Sequence, residues 1–248
     1  MTVKTILLSN PIGRNMDGLA ERINHVKDKV DLNSWKVIMD IGAMDGWEAV
    51  NFARVFPDAL VFSFEPSPAN VERCKATYAL QSHTTIKNMA LVNAAVTNKT
   101  GPIEFYAIDE EIAAQHGNVN WGMGSTLQIV DPKVLPWENS VQKTITAKGT
   151  RLDDFCTEFK IDKVDALWID VQGAELHVLE GAGKVLENVQ VIFTEAGLKP
   201  YYHGHGLKPE IDAFLETNGF VEIESARELH AQGLEVNAIY VNKRFMKT

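Results

Sequence analysis

Apolar residues along the chain keep two rhythms, and the switches between them mark out its elements. Val37-Ile38-Met39 is a continuous apolar run of strand length that ends in Asp40. Ala49, Val50, Ala53 and Phe56 then recur at spacings that share one helical face, and Pro57 stops that helix. Leu60 to Phe64 is a second strand-length run that delivers Glu65 and then Pro66. The order is strand, glycine turn, helix, strand, acid. Asp45 and Glu48, three apart at the helix start, predict a capping box with Asp in place of Ser or Thr.

The same reading extends in both directions. Leu19, Ile23, Val26 and Val30 predict a helix from about Asp17 to Val30, within an N-terminal extension of residues 1–35. That helix either packs on the fold or caps the ligand site. Val71 to Leu80 reads as a helix, Leu91 to Val96 as a third strand, Leu152 to Phe159 as a helix and Ala166 to Asp170 as the fourth core strand. Another helix begins near Ala174, and a fifth strand, Val189 to Thr194, ends in Glu195. Pro209 opens a helix that Gly219 stops, and Phe220 to Ile223 and Val236 to Val241 are closing strands. Strands alternating with helices predict an α/β, doubly wound sheet, mostly parallel, with the last two strands as an antiparallel edge hairpin. A chain of 248 residues suits one such domain, 1–248.

Ligands of such sheets lie across the carboxyl ends of the strands. Gly42 and Gly46 are expected to let the backbone turn sharply and approach a ligand. Glu65 follows Gly46 by nineteen residues, where an acid ending the second strand would accept hydrogen bonds from both hydroxyls of a ribose. Gly42-x-x-x-Gly46 is not the pyrophosphate-cradling G-x-G-x-x-G, so a nucleoside without phosphates fits better than a dinucleotide.

Four stretches carry a family resemblance: Asp40-Ile41-Gly42-Ala43-Met44-Asp45-Gly46, Phe64-Glu65-Pro66-Ser67-Pro68, Leu152-Asp153-Asp154-Phe155, and Ile169 through Ala182. In that order the chain resembles a class I S-adenosylmethionine-dependent methyltransferase, and specifically the FkbM family, over roughly residues 36 to 220. The resemblance implies a Rossmann-like sheet with S-adenosylmethionine held by Asp40, Gly42, Ala43, Gly46, Glu65, Pro66, Ala95 and Asp170. It also implies a small-molecule or glycan hydroxyl as acceptor. Residues 104–150, a loop-rich insertion with short strands at Ile103–Ala107 and Thr144–Thr146, are expected to supply an acceptor lid. Gly117 to Thr126, with Trp121 among glycines, is its centre, and Ser125-Thr126-Leu127 resembles a recurrent segment of the family.

Composition narrows the partners. Lys and Arg number 24 against 33 Asp and Glu, a formal charge of −9, which does not favour a polyanion such as DNA or RNA. Cys74 and Cys156 form no Cys-x-x-Cys and read as reduced thiols of a cytoplasmic protein. Ile6-Leu7-Leu8 is too short for a signal peptide, and no later run is long enough to span a bilayer.

Asp40, Glu65, Asp170 and Glu195 come from four strand ends, which packing alone does not explain. Methyl transfer to a hydroxyl needs alignment and a group that takes the proton. Asp170 and Glu195 are the first candidates; His203 or His205, on the Tyr201-Tyr202-His203-Gly204-His205-Gly206 loop, is the other. Related sugar O-methyltransferases place acids at these strand ends around magnesium. Here Gln172 stands two after Asp170, which leaves such a site short of charge, and no metal ligand is assigned. The alternatives are a small-molecule N-methyltransferase, which needs no strong base, and a non-catalytic cofactor-binding interaction module. DNA base methylation is disfavoured, since Lys199-Pro200-Tyr201-Tyr202 comes one strand too late and lacks the leading amide or acid.

Overall fold

A computed structural model of the chain describes residues 16–81, 86–115, 120–131, 141–227 and 234–247. Ile6-Leu7-Leu8 and the first three residues of the Gly117–Thr126 stretch lie outside them. β1 (Val37–Ile41) pairs in parallel with β2 (Leu60–Phe64) and β7 (Ala166–Ile169), which sets Asp40 between Ser63 and Trp168. β3 (Met89–Val92) extends the sheet beyond β2, and β8 (Val191–Gly197) extends it beyond β7, both in parallel. β10 (Glu235–Asn242) then runs antiparallel to β8, and β9 (Phe220–Arg227) runs antiparallel to β10. The resulting seven-stranded order, β3-β2-β1-β7-β8-β10-β9, is the doubly wound sheet with an antiparallel edge that the periodicity predicts.

Strand alternation divides the apolar side chains between two faces. Ile38, Ala166, Val191 and Phe193 pack under α1 (Met16–Val26), α2 (Trp47–Val55) and Tyr78 of α3 (Pro68–Leu80). Met39, Ile41, Leu167, Ile169 and Ile192 pack under α5 (Leu152–Phe159), α6 (Glu175–Ala182) and α7 (Lys208–Thr217). Each of the Val, Leu, Ile, Met and Phe side chains among them contributes about 1.5–3 kcal/mol when taken from water. The N-terminal helix packs on the fold, and its Gly18, Leu19 and Arg22 also border a cavity. It stops at Val26, and Val30 reaches the same core from a turn closed by Lys29 and Val30 N–H groups on the Val26 carbonyl.

Several boundaries differ from the sequence reading. The predicted capping box does not form: Gly46, in the left-handed region at φ 80°, caps α2, and Asp45 accepts a 3.4 Å bond from Trp47 N–H, two residues on. The predicted third strand is two. After Val92, the Asn93 amide donates to the carbonyls of Glu65 and Pro66 at 2.9 and 3.4 Å, and the chain leaves the main sheet. Ala95–Val96 (β4) joins a second, three-stranded sheet with β5 (Gly101–Ile108) and β6 (Gln142–Thr150). The arms of the 104–150 stretch are thus a long antiparallel pair, with Ile108 opposite Gln142. Between them lie α4 (Glu110–Gln115) and a single helical turn, Trp121–Met123. β8 also runs past Thr194 to Gly197, so Glu195 stands within the strand. Both cysteines are free and buried.

Candidate active site

The glycine turn closes β1 onto its own chain. Gly42 and Ala43 donate to the Phe64 carbonyl, each at 3.0 Å. Gly42 has φ 92°, and a Cβ there would come within 1.7 Å of the Asp170 carbonyl oxygen. A Cβ on Gly46 would meet the Tyr78 ring at 2.7 Å. The glycines are therefore required by the approach of Asp170 and Tyr78 and by backbone conformation, not only by a ligand.

This turn presents the Met44 N–H to Glu65 Oε2 at 2.9 Å, while Ser67 N–H donates to Oε1 at 2.8 Å. Glu65 is buried, and burial pushes its carboxyl up to about 7, with the bonds from Ser67 and Met44 pulling the other way. It lines a slot of about 40 Å³ whose apolar walls include Phe64, Ala95, Val96 and Phe105. The Gly122–Thr126 segment roofs the slot. Trp121 is held there by Asn70, whose amide donates to its carbonyl at 3.1 Å, and by the Arg73 guanidinium 4.2 Å above its ring. Arg73 is fixed in turn by Glu110 at 2.7 and 2.8 Å. The Ser125 hydroxyl donates to the Gln172 carbonyl at 2.8 Å. Beside it, Thr126 Oγ1 is buried with no partner among the described residues and borders the slot.

Beyond β7 the backbone makes a tight turn with Gln172 at φ 55°. Glu175 Oε1 holds that turn by accepting from Val171 and Gly173 N–H groups, each at 3.2 Å. The Gln172 amide nitrogen donates to Asp170 Oδ1 at 2.8 Å and to Glu195 Oε2 at 3.3 Å, and the Tyr202 hydroxyl donates to its oxygen at 3.4 Å. Burial raises the Glu195 carboxyl well above the usual range, helped by the Asp170 and Glu235 carboxyls beside it. Glu235 shares its face because Asn237, two residues on, is the partner of Glu195 in β8–β10. Tyr201 donates its hydroxyl to Glu235.

A second cavity, about 300 Å³, opens on the α1–α2 face and is bordered by Arg22, Glu48, Asn51, Trp168, Asp170 and Glu195. Asp170 borders both cavities. Of the residues expected at the cofactor, Gly42, Glu65, Pro66, Ala95 and Asp170 line the slot. Asp40, Ala43 and Gly46 do not: they build the turn behind it. Asp40 is fully buried toward α2, accepts from Ser63 Oγ at 3.4 Å, and is raised well above the carboxylate range by burial and by Glu48. His203 is exposed, borders neither cavity and gives its N–H to the Gln128 carbonyl at 2.8 Å. His205 is buried against Tyr201 and Tyr202, and burial lowers its imidazole to about 4. Phe105 escapes sequence reasoning because it reaches the slot from the second sheet, and Thr126 was singled out only as part of the lid stretch. Gln172 was visible in the fourth motif but not as a bridge between two acids.

The profile of the FkbM methyltransferase domain matches residues 40–222, which include the slot, the Gln172 turn and Glu195. The chain belongs to the FkbM methyltransferase family. Its similarity to 2-O-methyltransferase NoeI of Sinorhizobium fredii (strain NBRC 101917 / NGR234) is 30% identity over 172 residues, 68% of this chain and 66% of NoeI. Methyltransferase sdnD of Sordaria araneosa is 24% identical over 222 residues, 79% of this chain and 78% of sdnD. The crystal structure of the FkbM methyltransferase from Methylobacillus flagellatus KT superposes with a TM-score of 0.51 at 12% identity, over 96% of this chain and 57% of that one. At that identity it shows a shared fold. Among the described residues of this FkbM-family chain, no helix is long and apolar enough to cross a membrane. No group of three His, Cys, Asp or Glu side chains there is arranged to hold a metal ion.

Proposed function

We propose that the chain is an S-adenosylmethionine-dependent O-methyltransferase acting on a hydroxyl of a sugar, glycan or polyketide-like natural product. The observation that carries this reading is the position of Asp170, bordering both the slot and the polar cavity beside it. The slot, at about 40 Å³, takes only part of the cofactor, and its lining suits the adenosine: it has apolar walls for a base, a buried carboxylate for the ribose, and the unpartnered Thr126 hydroxyl. Glu65 would hold the ribose, its N–H bonds from Met44 and Ser67 keeping the carboxylate in place, and Asp170 would face the positively charged end. The bound cofactor supplies a methyl group made electrophilic by its sulfonium. Glu195, which borders the second cavity with Asp170, would take the proton of the acceptor hydroxyl once its own raised carboxyl has ionised, since a desolvated carboxylate beside like charges is a strong base. The activity that NoeI is named for, 2-O-methylation, favours an oxygen acceptor.

Magnesium fits less well. The Gln172 amide nitrogen donates to both Asp170 and Glu195 and so occupies the place where a shared cation would sit. No step is assigned to a metal.

Glu195→Gln tests the assignment. It should keep cofactor affinity near normal while methyl transfer falls by the roughly 10²–10⁴-fold typical of a missing general base. Full turnover in Glu195→Gln would remove Glu195 from the reaction.

A further inference from the structure

We propose that Glu235, pinned by Tyr201, is a positioning residue that sets the pH at which Glu195 can act: the two glutamates share one proton, which rests on Glu195 while the charge rests on Glu235. The inference rests on the reading of Glu195 as the proton acceptor and adds what governs it. Strand register brings the pair together. Glu195 stands opposite Asn237 in the antiparallel β8–β10 pair, and Gly197 stands opposite Glu235, so the two glutamates are diagonal neighbours on one face, within reach of long side chains. Their carboxyls are hydrogen-bonded to each other. Ionised carboxylates only accept, so that bond requires a proton held between them. The Tyr201 hydroxyl fixes the side on which it rests: it donates to Glu235 Oε2, and a donor favours the charged form of the group that receives it. Glu235 and Tyr201 are both buried, which keeps water from competing for that bond.

The other groups that face Glu195 meet it differently. Asp170, at the end of β7, shares the Gln172 amide nitrogen with it, so a donor stands between those two acids. Glu175, at the start of α6, uses one oxygen for the Val171 and Gly173 N–H groups. The Tyr202 hydroxyl donates to the Gln172 oxygen at 3.4 Å. His205 packs edge-on to Tyr201, and burial keeps it neutral. Arg22 of α1 and Glu48 of α2, of opposite charge, border the same cavity as Glu195. Glu235 differs from all of these in reaching Glu195 carboxyl to carboxyl. Before Glu195 can act, the shared proton must go to solvent and leave two negative charges side by side, so the pair titrates as a unit. The hydroxyl proton then passes to Glu195, the hydroxyl oxygen uses a lone pair to bond the methyl carbon, and the pair of the broken carbon–sulfur bond stays with the sulfur. Glu195 ends the turnover protonated, as it began. Glu235 thereby makes Glu195 a stronger base that ionises only at higher pH. It lies beyond residues 40–222, the part of the chain that matches the family profile, so this control comes from the edge hairpin.

The test uses the full chain and two readouts. Difference infrared spectroscopy across pH, with neither cofactor nor acceptor, follows the protonated-carboxyl band that Glu195→Gln removes. Steady-state methyl transfer to methyl glycosides of neutral hexoses follows the acidic limb of the kcat profile; the infrared readout decides alone if the glycosides are not turned over. Glu235→Gln keeps an oxygen for Tyr201 and offers Glu195 a donor in place of a charge. It should move the band and the limb down by at least about one pH unit, so that turnover at a pH on the limb rises about tenfold while the plateau at high pH falls. Affinity for S-adenosylhomocysteine, the demethylated cofactor, should hold and reports that the variant folds. Tyr201→Phe takes the donor from Glu235 and should move band and limb upward. The inference is overturned if Glu195→Gln removes no protonated-carboxyl band, if Glu235→Gln leaves band and limb in place or raises them, or if Tyr201→Phe does not raise them. Turnover that survives Glu195→Gln, with the band still shifting as expected, would instead overturn the reading of Glu195 as the proton acceptor beneath it.

Discussion

The side-chain amide of Gln172 donates to the carboxylate of Asp170 at 2.8 Å, and the same nitrogen reaches Glu195 at 3.3 Å. One amide thus separates two acids that would otherwise repel. Gln172→Glu replaces that donor with a third negative charge, so the group that must lose a proton before accepting one will do so only at higher pH. We expect kcat to fall by at least about tenfold, with the acidic limb of the pH–rate profile moved upward and cofactor affinity less affected. A limb that stays in place would reduce Gln172 to packing.

Glu65 takes two backbone N–H bonds and has its carboxyl at about 7. Glu65→Ala should weaken cofactor binding by about 1.5–3 kcal/mol, some ten- to a hundredfold. In the unmutated chain, affinity should fall as pH drops through about 7, because the charged carboxylate is the stronger acceptor. Glu65→Gln should lose that dependence. Calorimetric titration across pH checks both, and equal affinity in Glu65→Ala would overturn the assignment.

Residues 120–127 roof the slot, tied down by the backbone pair of Ser125 with Tyr106, the Ser125 hydroxyl on Gln172, Arg73 on Trp121 and the buried Met123. We expect their amides to exchange with solvent faster than those of β1 and β7 in the free protein, and to slow on adding S-adenosylhomocysteine. Ser125→Ala should speed exchange further. Protection equal to the core strands without cofactor would rule out a lid.

Glu175 is buried, and burial holds its carboxyl up at about 8 instead of 4.5. A raised carboxyl favours the protonated folded state, so its contribution is full below about 4.5 and is lost as pH rises through about 8. Unfolding free energy should therefore decline across that window, by at most about 1.4 kcal/mol per pH unit for one proton. Glu175→Gln keeps an oxygen for Val171 and Gly173 and should flatten the slope in denaturant titrations. An unchanged slope would assign the pH dependence elsewhere.

Much of this was legible in the chain itself because its cause is local. The apolar run at Val37, the helical spacing from Ala49 to Phe56 and the position of Glu65 need only neighbours in sequence to specify strand, helix and acid. The same locality explains where the reading stopped. Leu91 to Val96 is one apolar run, but Asn93 bonds to carbonyls 27 and 28 residues away and sends Ala95 into a second sheet. Asp40 and Glu65 both end apolar runs, yet strand alternation turns Asp40 into the α2 face and the turn after β2 carries Glu65 into the slot. Nothing local to His203 or Gln172 tells that the fold leaves the first exposed and sets the second between two carboxylates. Sequence periodicity by itself determined most strands and helices of the main sheet, and its end-of-strand acid, Glu65, lines the slot. Which acids share a cavity, which are sealed behind it, and what stands between them was decided only by tertiary packing, because those relationships join residues from 23 positions apart (Gln172 and Glu195) to 147 apart (Glu48 and Glu195).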